Sequence, residues 1–178
     1  MKPKFLLTSF TTWLPHQKSN SSDDILVKIQ ELNYSLDVSL SFLRKLPVNV
    51  ELASQRVIAA IDRIQPDVIV CCGMSEKRDK ATVESKAFCQ DACLYTSVNL
   101  TELSERLVFT EVSGNAGKFV CEGLYYQVLK YIQFQNRARH CIFVHIPLLN
   151  CTNLDLILKD FHSMFFYLGN IVVSDGRH

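Results

Sequence analysis

Three short runs constrain this chain more than anything else: KFLLTSF at Lys4–Phe10, DVIVCCG at residues 67–73 and HCIFVHIP at residues 140–147. Each is apolar almost without a break and ends in turn chemistry. Successive side chains of a strand point to opposite sides, so a strand apolar at odd and even positions alike must be covered on both faces. Helical patterns separate these runs. Ser22-Asp23-Asp24 offers a cap before ILVKIQEL, and ELASQRVIAAIDRI stops before Gln65-Pro66, where proline disfavours continuation. CEGLYYQVLKYIQFQ and LDLILKDFHSMFFYL complete the set. Alternation of buried strands with helices predicts an α/β fold, a mostly parallel sheet between two helical layers. Residues 77–112 show no sustained period and read as a strand, a loop and a short helix after Thr101.

In such sheets, ligand sites gather where strands end at their carboxyl side. That rule singles out the stretches after Phe10, after Gly73, near Ser113 to Cys121, and around His145 to Pro147. At 178 residues the chain suits one domain, over residues 1–178. Nineteen basic residues against eighteen acidic ones give a net charge of +1, which provides no electrostatic footprint for nucleic acid or an anionic membrane. No apolar run approaches the roughly 20 residues of a spanning helix. The seven cysteines are odd in number and follow no secretory signal, so reduced thiols and a cytoplasmic protein are the expectation.

The richest local string is SGNAGKFVCEGLYY. Small polar residues and two glycines run into Cys121 at the start of a helical pattern. A thiolate there would gain from the positive end of the helix dipole, and free backbone amides could hold an oxyanion. Free cysteine is also among the most buried residue types, and alone Cys121 reads more readily as a core thiol. His145, closing an apolar strand, is a candidate general base, although histidines in such runs are more often hydrogen-bonded core residues. Glu84, in TVESKAF, could orient a histidine, yet Lys80 and Lys86 beside it favour a solvated loop glutamate. Cys89-x-x-x-Cys93 finds no second pair at zinc spacing, so neither metal nor cofactor is expected. Gly117-Lys118 fails as a phosphate loop, with Val112 where a glycine is needed and Phe119 where Ser or Thr is needed. Phe10, Trp13 and Phe119 could line an apolar pocket or simply pack in the core.

The order Glu84, Cys121, His145 within these strings resembles the pyroglutamyl peptidase type I (pyrrolidone carboxyl peptidase) family. LLTSF followed by Trp13, IQPDVIVCCGM, TVESKA, SGNAGKFVCEGLYY and FVHIPLL all have similar counterparts there, in the same order. The resemblance implies a three-layer α/β/α domain with a mixed, mostly parallel sheet, of the phosphorylase/hydrolase kind. It implies Cys121 as nucleophile, His145 as base and Glu84 as its orienting partner. Phe10, Trp13, Asn20, Phe119 and Val120 would form the pocket for the lactam ring. The implied activity is metal-free removal of an N-terminal pyroglutamyl or other small acyl group from peptides through a thiol acyl-enzyme. Peptide or small acyl-amide substrates are the implied partners, and a homo-oligomer is possible. The chain also departs from the family pattern: Gly-Gln-Ala-Gly-Gly-Arg reads Gly73-Met74-Ser75-Glu76-Lys77-Arg78, and the asparagine after the cysteine is Glu122. These departures keep open a second reading, a catalytically degenerate relative acting as a binding module.

Overall fold

The computed structural model describes residues 2–32, 37–117, 119–135 and 139–176; Lys118 of the rejected phosphate loop lies outside them. The elements run β1 (Lys4–Phe10), α1 (Ser21–Glu31), β2 (Ser39–Leu46), α2 (Val50–Ile64), β3 (Val68–Met74), β4 (Ala81–Glu84), β5 (Lys86–Cys89) and β6 (Ala92–Tyr95). They continue with α3 (Leu100–Ser104), β7 (Thr110–Ser113), α4 (Val120–Gln133), β8 (His140–Ile146) and α5 (Leu154–Asp175). Six strands form one sheet in the order β2-β1-β3-β8-β4-β7, and β5 pairs with β6 in a separate hairpin. The first four strands of that order are mutually parallel; β4 runs antiparallel to β8 and parallel to β7.

The three runs that opened the argument are β1, β3 and β8, the contiguous centre of the sheet. Their side chains divide by parity. Phe5, Leu7, Val68, Val70, Ile142 and Val144 pack with α1, α3 and α5, whereas Leu6, Phe10, Ile69, Cys71, Cys141 and Phe143 pack with α2 and α4. The fold is therefore the expected three-layer α/β/α arrangement.

Some expectations need correction. Residues 77–112 hold β4, β5, β6, α3 and the start of β7 rather than a strand, a loop and a helix; strands of four residues are too short to show a period. The edge strand β2 gave no signal, because SLSFLRKL carries polar and charged residues along an open edge. The cap of α1 is Asn20, whose side chain accepts from the Ser22 N–H, so Ser22, Asp23 and Asp24 lie inside the helix. Glu84 is not a solvated loop residue. It ends β4, fully buried. The helix α5 runs for 22 residues with a mean hydropathy of 1.2, long and apolar enough to match a membrane span by length and composition. Its Ile157, Phe161, Met164, Phe165 and Leu168 are packed into the core, which accounts for that composition.

Asp160 ties α5 to the chain entering β7. It is buried, and its carboxylate accepts from the Val108 N–H (2.7 Å), the Phe109 N–H (2.9 Å) and the Thr110 hydroxyl (2.7 Å). Replacing it by alanine removes the acceptor of three donors at once, the Thr110 hydroxyl among them buried. We expect Asp160→Ala to lower unfolding free energy by about 3 kcal/mol, read from urea unfolding at constant m-value.

Candidate active site

The parity rule that covers the sheet also assembles the site. Gly73 and His145 are register partners on β3 and β8, so both face the α2/α4 layer. On β4, Ala81 and Val83 belong to the opposite layer, leaving Thr82 and Glu84 on the same face as His145, with Thr82 directly opposite it in register. Glu84 Oε1 lies 2.9 Å from His145 Nδ1, and both side chains are buried. The Phe143 ring packs against the imidazole at a centroid distance of 4.8 Å and limits its rotation.

Helix α4 brings Cys121 onto this face within its first turn. A Cβ on Gly73 would stand only 2.7 Å from Cys121 Sγ and 2.9 Å from the Phe143 ring. Only glycine lets the thiol settle on β3, the strand that pairs with the one carrying His145. The preceding turn also needs a glycine: Gly117 has φ +93°, and its N–H is held by the Asn115 side chain at 3.1 Å. Phe119 occupies the N-cap and has no polar side chain to cap with, so the opening amides of α4 point at the thiol end without a capping acceptor of their own.

Glu84 is held from several directions. Oε1 also accepts from Arg78 Nη1 (2.6 Å) and the Thr82 hydroxyl (2.9 Å), and Oε2 accepts from the Asn115 N–H (3.2 Å). Burial works to raise its pKa, but the hydrogen bonds from His145 and Ser113 and the nearby positive charge more than offset this, and the net direction is down. An ionised carboxylate only accepts, so Nδ1 of His145 carries the proton and Nε2 is the free base of the neutral ring. Burial dominates at His145 and lowers its pKa despite the partner carboxylate. At Cys121, burial together with the charge of Glu84 and the neighbouring Cys71 pushes the thiol up to about 12. The resting pair is thus neutral thiol and neutral imidazole, not an ion pair.

Beside the thiol lies a cavity of about 270 Å³, walled by Phe10, Trp13, Asn20, Val120 and Cys121 among others. Four of the five pocket residues expected from the sequence therefore meet there. Phe119 is not on the wall; its ring stacks on Trp13 at 5.1 Å, both rings half exposed. Asn20 is buried, but it spends Oδ1 on Ser22 and one Nδ2 hydrogen on the Thr11 carbonyl. Met74, Ser75, Glu76 and Lys77 form a wall that sequence reading located only as "after Gly73". Gln17 fastens this wall to the Trp13 turn: its Oε1 accepts the Trp13 and Leu14 N–H groups, and its Nε2 donates to Glu76 at 2.7 Å. Glu122 accepts from the Phe88 N–H of the hairpin at 3.3 Å. The roles missed are those of Arg78, Thr82 and Asn115, none of which was a candidate site residue and all of which bond to Glu84.

No family model matches the chain. Among curated proteins, the pyrrolidone-carboxylate peptidase of Brevibacillus brevis is 25% identical over 133 aligned positions, taking in 60% of this chain and 62% of that protein. The protein of the same name from Vibrio parahaemolyticus is 28% identical over 141 positions, taking in 65% and 66%. The chain thus spans less than two thirds of the length of these relatives. Among solved structures, pyroglutamyl peptidase I from Bacillus amyloliquefaciens superposes with a TM-score of 0.76 at 21% identity, covering 97% of this chain and 95% of that one. The pyrrolidone carboxyl peptidase of Thermococcus litoralis gives 0.78 at 16% identity, covering 98% and 96%. The curated homologues are pyrrolidone-carboxylate peptidases, and the structural neighbours share the three-layer fold.

Two outcomes follow from the geometry. Unfolded histidine takes up its proton near 6.5, and folded His145 does so only at lower pH. Its contribution to stability is therefore present above 6.5 and lost as pH falls below it. Glu84, held below 4.5 when folded, adds a second loss as pH falls through its folded value. Denaturant midpoints should be level near neutrality and decline in two stages, and His145→Gln should remove the first. Gly73→Ala should cost about 1–3 kcal/mol through the clash with Sγ and Phe143. Adding Cys121→Ala in that background should recover part of the loss, measured as a double-mutant cycle.

Proposed function

We propose that this chain is a cysteine peptidase that removes an N-terminal pyroglutamyl, or similarly small, acyl group from peptides. The observation that carries the reading is the buried Glu84–His145 pair on the same face as Cys121, which sits over Gly73 and lines a small cavity. At about 270 Å³ that cavity sits just below the usual range of ligand pockets, about 300–1,000 Å³, which suits a compact ring better than a long side chain. The names of the curated homologues point the same way.

In this mechanism His145 Nε2 takes the proton from Cys121 Sγ as the sulfur attacks the acyl carbonyl. Deprotonation is concerted with binding and attack, because neither group is charged at rest. The developing oxyanion is received by the uncapped amides at the start of α4. The imidazolium, stabilised by Glu84, then gives its proton to the departing amine, leaving a thioester on Cys121. Water, deprotonated by His145, attacks that thioester and releases the acid and the free thiol.

A second reading has its own observation. Glu76 and Lys77 place charges on the wall of an otherwise apolar cavity, where the resembled family has small residues. A binding module with a vestigial triad would look the same. The two readings separate on one measurement, release of a fluorophore from a pyroglutamyl arylamide. The enzyme reading expects turnover by the wild type, a loss of at least about a thousandfold in Cys121→Ala, and an acyl-enzyme adduct on Cys121 by intact mass. Ligand binding with no turnover and no adduct would establish the binding module instead.

A further inference from the structure

Arg78 stands on the loop between β3 and β4, six residues before Glu84, with its side chain about three-quarters buried. Its two terminal nitrogens go to different places. Nη1 donates to Glu84 Oε1 at 2.6 Å, and Nη2 donates to the Asn115 carbonyl oxygen at 2.7 Å. The Asn115 N–H returns to Glu84 Oε2 at 3.2 Å. Guanidinium, carboxylate and one peptide turn thus close a ring. Only a rigid fork with separated donors can span two such acceptors.

The ring joins the two halves of the site. Glu84 sets the orientation of His145, and the turn at Asn115 leads through Gly117 to Cys121. We propose that Arg78 is a positioning residue of this site, acting through Glu84 and the Asn115 turn to set the placement of both His145 and Cys121. The proposal rests on the cysteine-hydrolase reading for its catalytic consequence, though not for its geometry.

The charge of Arg78 adds an effect that a structural ion pair on a loop would not have. A fixed positive charge beyond Glu84 disfavours a second one on His145 and favours a negative one on Cys121. Among the described residues, the charged groups acting on His145 are Glu84 from β4 and Arg78 from the loop, and those acting on the Cys121 thiol of α4 are Cys71 of β3, Glu84 and Arg78. Glu84 and Arg78 act on the ring in opposite senses. Removing Arg78 therefore leaves the carboxylate unopposed and raises the pH at which the imidazole protonates.

The test compares Arg78→Gln and Arg78→Lys with the wild type by three readouts: thermal unfolding, the NMR titration midpoint of the His145 ring, and kcat and KM on a pyroglutamyl arylamide. In Arg78→Gln the His145 midpoint should rise by about half a pH unit or more, and kcat should fall at least about tenfold with KM within about twofold. Arg78→Lys keeps the charge and loses the fork. Its His145 midpoint should stay near that of the wild type while kcat still falls. A folded Arg78→Gln protein with an unchanged or lower midpoint overturns the proposal, as does the failure of both variants to fold, which would make Arg78 purely structural. Absence of turnover in the wild type would sink the peptidase reading alone, because the His145 titration tests Arg78 without any substrate.

Discussion

A carboxylate with no access to solvent dictates how this molecule is put together at its working end. Removing an ion from water costs several kcal/mol, and one missing partner would leave that cost standing. Glu84 meets it with contacts from four directions: His145 from the neighbouring strand, Thr82 from its own, Arg78 from a loop and a backbone amide from the turn at Asn115. Tyr125 of α4 donates its hydroxyl to the Glu84 carbonyl at 3.0 Å, which fixes the backbone of the same residue. Helix α4, two loops and two strands therefore have to converge for the fold to close. That convergence also presents Cys121.

The reversal of β4 matters for the same reason. Running antiparallel to β8, it sets Thr82 opposite His145 and Glu84 opposite Phe143, so the carboxylate reaches the imidazole from one register step away. A one-residue slip would turn Glu84 to the other face, into the apolar layer of α1 and α5. Val83 and Ala81, buried on that far face, hold the register hydrophobically while the polar face carries the chemistry.

The legibility of the sequence follows the same division. The central strands β1, β3 and β8 are apolar on both faces and announced themselves, and so did the long amphipathic helices. Cys121 and His145 stood out as candidates because each lies in such an element, although local pattern alone favoured a core residue at both positions. Glu84 could not be read from its surroundings: a four-residue strand flanked by Lys80 and Lys86 has the composition of a surface loop, and its burial is imposed by tertiary pairing. The resemblance of TVESKA to a family segment supplied what periodicity could not. Arg78 and Asn115 both lie in strings compared with the family, yet their contacts with Glu84 could not be read, since a positioning side chain and a peptide N–H have no pattern beyond the carboxylate they serve.

The site thus has two parts with different tolerance for change. Glu84, His145 and Gly73 are fixed by strand register, and Cys121 by the docking of α4 on that face; altering any of them disturbs sheet pairing or core packing. Trp13, Gln17 and Glu76 are fixed by side-chain hydrogen bonds and one ring stack on the exposed rim, which can be exchanged without moving a strand. Substitutions at Ser75, Glu76 or Lys77 therefore leave the placement of Glu84, His145 and Cys121 to the strands and α4. The charge introduced at Glu76 is already committed to Gln17 and His16. It braces the turn that carries Trp13 against the loop that follows Gly73. Restraint of this wall thus comes from a side-chain clasp rather than from backbone pairing, next to the cavity beside the thiol.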